Sequence, residues 1–253
     1  MIHLKSTTEI EKIRASCRIA ADAMARVQKA VVPGIATSEL NVIADNYIRS
    51  QGAVASALGY RGYPASICVS INEVVVHGIP GGQLLANGDI VAVDIAVKKD
   101  GFHGDMNVSF PVGDISEVAD DLLSTTRESM EIGIGACLSG NRLGDVGFAI
   151  QDFVEKRGFS IVREFCGHGI GHDFHEEPQL MHFGTPNTGR RLQPGIVFTV
   201  EPMVNEGSPD VRVLDDNWTA ITNGGRLSAQ FEHTVAVTAD GPEVLSRFED
   251  LPF

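Results

Sequence analysis

A pseudo-twofold fold of helices and strands is predicted by three observations: a helix plan that occurs twice, a strand motif that repeats with an acid at the same point, and an antiparallel hairpin with two carboxylates on one face. Gly34, Glu39, Leu40, Ile43, Ala44, Tyr47, Ile48 and Gly52 have counterparts 106 positions later: Gly140, Asp145, Val146, Ala149, Ile150, Phe153, Val154 and Gly158. Each block reads as an amphipathic helix closed by glycine, with apolar residues at three- and four-residue steps. Leu85-Ala-Asn-Gly-Asp-Ile-Val-Ala-Val-Asp94 matches Leu192-Gln-Pro-Gly-Ile-Val-Phe-Thr-Val-Glu201 at an offset of 107. Chance similarity of apolar helices would explain the first match but poorly explains the aligned acids. His77-Gly-Ile-Pro80 and His175-Glu-Glu-Pro178 add a second matched pair. A duplicated unit predicts halves of roughly 1–110 and 111–253 whose acids meet near an axis, so residues 1–253 are read as one domain.

In chain order, the first element is a helix expected to start at a capping box, Thr8-Glu-Ile-Glu11. Its apolar stripe is Ile10, Ile13, Cys17, Ala20, Met24, Val27 and Val31, and Pro33-Gly34 ends it. The first copy of the duplicated helix follows. Ile90 to Val97 is then a dense apolar run interrupted only by Asp94, and Asp100-Gly101 is the dipeptide favoured in a two-residue type I′ turn. Such a turn sets Lys99 opposite Phe102, Asp94 opposite Asn107 and Asp105 opposite Ala96. Side chains alternate along a strand, so Asp94, Asp105 and Asn107 share a face. The two aspartates become diagonal neighbours about 7–8 Å apart at the backbone. Two like charges on a buried face need something positive between them, which a pair of divalent metals would supply. Periodicity fixes the shared face but not its burial, and an exposed sheet face would carry the same pattern.

After the second helix copy, Phe165–Pro178 is a glycine-rich segment holding His168, His172 and His175. Glycines on both sides of His168 permit unusual backbone angles and close approach. Ser228-Ala-Gln-Phe-Glu-His-Thr-Val-Ala-Val-Thr238 reads as one strand carrying Glu232. A lone histidine in such a loop is usually structural. One imidazole with four carboxylates is different: Asp94, Asp105, His168, Glu201 and Glu232 suit a borderline-to-hard divalent ion such as Co, Mn, Fe(II) or Zn.

Composition narrows the class. A chain of 253 residues can bury a substantial core, and a net charge of −13 argues against a nucleic-acid-binding body. Four cysteines, at 17, 68, 137 and 166, form no CxxC and no disulfide framework, which favours a reducing cytoplasm. No signal peptide or membrane-spanning run precedes the first helix.

The pieces Tyr60-Arg-Gly-Tyr-Pro, Ser70–Pro80, Asp100-Gly-Phe-His-Gly-Asp105, Cys166-Gly-His-Gly-Ile-Gly171, Phe198-Thr-Val-Glu-Pro-Met203 and Ser228-Ala-Gln-Phe-Glu-His-Thr234 together resemble the type I methionine aminopeptidases. The resemblance spans nearly the whole chain and is to the short bacterial form. The chain starts almost at the core, without the zinc-binding extension of eukaryotic type I forms, and the interval from His175 to Glu201 is too short for the type II helical insertion. Arg61 stands where a His is often found, Ala57 where a pocket Cys can occur, and His172-Asp173 fills a variable slot.

The resemblance implies a pita-bread fold of the α+β class, an antiparallel sheet flanked by helices. It implies two divalent ions bridged by Asp94 and Glu232, with Asp105 completing one site and His168 and Glu201 the other. Glu201 is then also the proton acceptor. His175 faces the tetrahedral oxygen and His77 the peptide nitrogen beyond the scissile bond. Tyr60, Tyr63, Cys68, Phe174 and Trp218 wall a methionine pocket, and carbonyls at Asn72, Val74 and Ser228 hold a monovalent cation. The expected substrates are N-terminal Met peptides and nascent chains at the ribosome, with a small second residue, cleaved by a cytoplasmic monomer that binds neither nucleic acid nor membrane. Two other classes share this fold. An Xaa-Pro aminopeptidase usually carries a large extra N-terminal domain. A non-catalytic peptide-binding module typically loses metal ligands, and all five are kept here.

Overall fold

The computed structural model describes residues 2–247; the unit read as 1–253 extends beyond them at both ends. Helix α1 is Thr7–Ala30, and it buries Ile13, Cys17, Ala20, Met24 and Val27 from the expected stripe. Its cap is Ser6, whose hydroxyl accepts the Glu9 N–H while the Glu9 carboxylate accepts the Ser6 N–H at 2.7 Å. The expected box at Thr8–Glu11 thus lies two residues too late, because Ser6-Thr-Thr-Glu9 offers the same spacing one step outside the stripe.

The chain continues through α2 (Thr37–Ser50), β1 (Val54–Ala55), a short 3-10 turn (Tyr60–Gly62), β2 (Cys68–Ile71), β3 (Val74–Val76), β4 (Ile90–Lys99) and β5 (Phe102–Pro111). Then come α3 (Glu117–Ala136), α4 (Leu143–Lys156), β6 (Ser160–Ile161), β7 (Gly167–Gly169), β8 (Glu176–Leu180), β9 (Val197–Val200) and β10 (Met203–Asn205). The last strands are β11 (Val211–Val213), β12 (Ala220–Thr222), β13 (Ser228–Gln230), β14 (Glu232–Val237) and β15 (Pro242–Val244). The largest sheet runs β1-β4-β5-β14-β9-β7-β8, with β2 on β4 and β15 on β14, and its pairings are antiparallel. Helix α1 packs on β4 and β5 with α2 beside it, and α3 packs on β10 and β13 with α4 beside it.

The duplication extends to individual hydrogen bonds. Helices α2 and α4 are each 14 residues long, and Thr37 and Leu143 start them 106 positions apart. Gly34 N–H donates to the Leu85 carbonyl at 2.7 Å, and Gly140 N–H to the Leu192 carbonyl at 3.0 Å. Both glycines are left-handed, at φ 93° and 98°. Ala55 pairs with Val97 in one half and Ile161 with Val204 in the other.

The predicted hairpin register is observed pair for pair: Lys99 opposite Phe102, Asp94 opposite Asn107 and Ala96 opposite Asp105. Asp100 and Gly101 hold φ of 48° and 84°, the positive pair that a type I′ turn demands. The second hairpin differs. The strand expected over Ser228–Thr238 breaks at Phe231, so β13 joins β10 and β14 joins β9. Facing positions sum to 433 on both sides of the break, which puts Pro202 opposite Phe231. Proline has no N–H for the ladder, so pairing lapses there and resumes in a second sheet.

Candidate active site

The two hairpins meet where β14 lies on β5, with Glu232 paired to Asn107. Since Asp94 faces Asn107 and Glu201 takes the place facing Glu232, this contact gathers Asp94, Asp105, Glu201 and Glu232 on one patch of sheet. His168 reaches the patch from β7, which pairs with β9. One ligand atom each from Asp105, His168 and Glu232 lie within 4.8 Å of one another. His168 Nε2 is 3.8 Å from both Asp105 Oδ2 and Glu201 Oε1. His168 Nδ1 bonds the Gly169 carbonyl at 3.0 Å, so the proton sits on Nδ1 and the lone pair of Nε2 faces the acids. The glycines beside His168 serve close approach alone: neither has positive φ, but a Cβ on Gly167 would lie 2.3 Å from the Thr199 carbonyl oxygen and one on Gly169 2.3 Å from that of Glu177.

The burial that periodicity could not decide is nearly complete for three of the acids, while Asp94 keeps partial exposure in the cleft. Asp105 is 3% exposed, Glu232 2% and Glu201 9%. Burial raises the Asp94 carboxyl to about 6, although the Asn107 side chain pulls the other way. Glu201 rises to about 8 through burial and the nearby Asp94 charge, against the Thr199 hydrogen bond. Asp105 and Glu232 are pushed well above the usual carboxylate range by burial and by neighbouring acids. Asp105 Oδ1 and Glu232 Oε1 are buried without a hydrogen-bond partner. The one Lys or Arg lining this cleft among the described residues is Arg61. Carboxylates packed this closely, with orphaned oxygens and an imidazole lone pair aimed among them, fit a divalent cation, which would reverse each upward shift.

Three residues that the sequence reading passed over hold the acids in place. Thr199 Oγ donates to Glu201 Oε1 and accepts the His168 N–H at 3.0 Å, tying β9 to β7. Gln230 Nε2 donates to Glu201 Oε2 at 3.2 Å, while its own Oε1 accepts from Asn107 at 2.9 Å. His182, fully buried, accepts the Glu201 N–H at 3.1 Å on Nε2, and burial lowers its pKa to about 3. Thr199 had a readable signal, since it precedes Glu201 by two and so shares its face. His182 had none.

Above the acids opens a cleft of about 820 Å³, bordered by Tyr60, Tyr63, Cys68, His77, Phe174, His175 and Trp218. His175 stacks on Tyr60 with ring centres 5.0 Å apart and lies 4.0 Å from the His168 ring. His77, at φ 61°, meets Trp218 edge-on at 5.9 Å. Burial depresses both histidines, and the neighbouring imidazoles, His168 first, together with Arg61 add to burial in taking His175 to about 3. Each is therefore a neutral ring at pH 7. Tyr63 is 2% exposed, and its hydroxyl donates to the Gly78 carbonyl at 2.9 Å, so it is both core and wall. The Asp216 carboxylate accepts the Trp218 and Thr219 N–H groups at 2.8 Å and so fixes the Trp218 loop. His172 packs on Phe102, ring centres 4.0 Å apart. Away from the cleft, the Asn72 carbonyl accepts the Ser228 N–H at 2.8 Å, and Val74 opens β3 two residues further on.

The chain belongs to metallopeptidase family M24, which matches residues 11–239. It is 50% identical over 246 residues to Methionine aminopeptidase A of Synechocystis, covering 97% of each chain. The solved methionine aminopeptidase of Rickettsia prowazekii superposes with a TM-score of 0.96 at 42% identity, over 98% of this chain and 100% of that one. An Xaa-Pro dipeptidase from Bacillus anthracis shares the fold alone, with a TM-score of 0.79 at 23% identity over 96% of this chain and 62% of that one. In fold and family the chain is thus a metal-dependent hydrolase.

Proposed function

We propose that this chain removes the N-terminal methionine from peptides and nascent proteins whose second residue is small. The observation that carries this reading is a buried set of acids with one imidazole at the floor of an aromatic cleft, in a chain half identical to a methionine aminopeptidase. Asp94, Asp105, His168, Glu201 and Glu232 would hold two divalent ions, of Co, Mn, Fe or Zn, within one catalytic unit spanning 1–253. Bound there, such ions lower the pKa of a water toward neutrality and polarise a carbonyl.

The protein's own groups do the rest. Glu201, oriented by Thr199 and Gln230, takes a proton from the attacking water and returns it to the leaving amine. Neutral His175 donates a ring N–H toward the oxygen on which charge develops. His77, across the cleft, contacts the peptide nitrogen past the cleaved bond. Tyr60, Tyr63, Cys68, Phe174 and Trp218 enclose an unbranched, polarisable thioether. Carbonyls near Asn72, Val74 and Ser228 would take a monovalent cation. A working monomer in the cytoplasm, acting at the ribosome, completes the proposal.

The test is hydrolysis of Met-Gly-Met-Met against Xaa-Pro peptides, with chelator and with added metal. Metal-dependent release of Met from the first alone is expected. Cleavage of Xaa-Pro peptides instead would move the chain to the prolidase class, and no cleavage with metal bound would make it a binding module. Within a Met-Xaa-Met-Met series, Gly, Ala and Ser at the second position should be cleaved, and Lys, Leu and Phe refused. Equal initial rates for Met-Ala and Met-Leu peptides would contradict a crowded second site.

A further inference from the structure

Lys5 lies outside the cleft, and nothing above uses it. Its side chain is 2% exposed, and its Nζ pairs with Glu176 Oε2 at 2.5 Å. A lysine is rarely buried this far unless its charge is answered, and here one carboxylate answers it. Glu176 is the residue after His175. Its other oxygen accepts the Asp173 N–H at 3.1 Å, so one carboxylate spans from Lys5 to the loop that precedes His175. Burial works to raise the Glu176 carboxyl, but the Lys5 and Asp173 hydrogen bonds win and hold it below its usual value.

The loop is closed down on this pair. A Cβ on Gly171 would lie 2.4 Å from Lys5 Cε and 2.7 Å from Glu176 Oε1. The Gly171 carbonyl accepts the His103 N–H at 2.8 Å, and the His103 ring stacks on Phe174 with centres 5.6 Å apart. On its other side, the Lys5 N–H donates to the Gly195 carbonyl at 2.7 Å, in the turn before β9. One buried lysine therefore ties together the strand that leads to Glu201 and the loop that presents Phe174 and His175.

We infer that Lys5 is a positioning residue for His175: its ion pair with Glu176 fixes the backbone from which the His175 ring enters the cleft. The inference rests on the role proposed above for His175. Misplacing a catalytic group by about 1 Å is worth ~10²-fold in rate.

The experiment compares metal-loaded Lys5→Met, His175→Ala, their combination and the uncharged pair Lys5→Met/Glu176→Gln, each at a temperature where it is folded. Lys5→Met should lower kcat on a Met-Ala peptide by ~10-fold or more, with metal affinity by calorimetry unchanged. Added to His175→Ala, it should cost no further kcat, because a residue acting through His175 has nothing left to position. The uncharged pair strands no buried charge, so it should recover the melting temperature without recovering kcat; it carries the test if Lys5→Met does not fold. Amide hydrogen exchange at Asp173 should speed up in both Lys5 variants. Unchanged kcat, multiplicative losses with His175→Ala, or recovery of kcat along with stability would each overturn the inference. If the wild type cleaves no Met peptide, the peptidase reading falls, while exchange at Asp173 still decides the tie: an unchanged rate there means Lys5 does not hold the loop.

Discussion

Glu201 has no uncommitted carboxylate oxygen: Thr199 donates to one and Gln230 to the other, and His182 accepts its backbone N–H. With both carboxylate oxygens and the backbone N–H engaged, the residue is held in one orientation. Glu201→Gln keeps the shape and an oxygen for metal but cannot accept a proton. Turnover should fall by at least ~10²-fold, while metal content by elemental analysis stays near wild type. Collapse of occupancy with turnover intact would make Glu201 a ligand only. By contrast, Asp105→Asn should weaken metal binding as well as activity, because Asp105 Oδ1 has no partner inside the protein and only a bound ion would answer it. The acids were legible in sequence, Asp94 and Glu232 as interruptions of apolar strands, Asp105 through the hairpin register and Glu201 through its match to Asp94; of the groups that orient them, only Thr199 was. Gln230 sits one sheet away from β9, and His182 lies in a loop whose path to Glu201 is set by tertiary folding alone.

At the level of elements, what could be read followed from local rules, and what could not depended on partners. The Asp100-Gly101 turn fixes the register of β4 on β5 by itself, so every pair could be assigned from sequence. The break at Phe231 could not, because its cause stands on the opposite strand, at Pro202. The capping box slipped by two residues because two Ser/Thr-x-x-Glu frames overlap there. Of the unusual backbone angles and close approach that the glycines around His168 permit, the structure uses only the close approach. Gly169→Ala should therefore push β7 off the Glu177 carbonyl and shift His168. It should lower both melting temperature and metal affinity, whereas Gly135→Ala, where a Cβ meets nothing within 4 Å, should leave both near wild type. Equal behaviour of the two variants in a thermal melt and a metal titration would remove the close-approach argument.

For the whole molecule, the same buried acids that make a site make a liability. In the unfolded chain Asp and Glu titrate near 3.8 and 4.5, whereas folded Glu201 holds its proton to about 8 and Asp105 and Glu232 are also raised. Folded protein then binds more protons than unfolded protein between those limits, so stability falls as pH rises through them. Buried histidines act in the opposite sense: His182 is lowered to about 3 and His168 and His233 to about 4, from 6.5. Their contribution is complete above 6.5 and is lost as pH drops below it. Above about pH 7.5 the histidines are nearly all neutral in both states and no longer offset the acids. Chelated protein should accordingly melt at a lower temperature at pH 8.5 than at pH 7.5. Divalent metal should raise the melting temperature most at pH 8.5, because binding displaces the retained protons. Calorimetry in two buffers of different ionisation enthalpy should detect that proton release. Asp105→Asn/Glu232→Gln, which replaces two of the acids with neutral amides, should flatten the slope of the chelated protein. A melting temperature already flat across this window in the chelated wild type would mean that the acids ionise in the empty fold and that their burial does not hold them protonated.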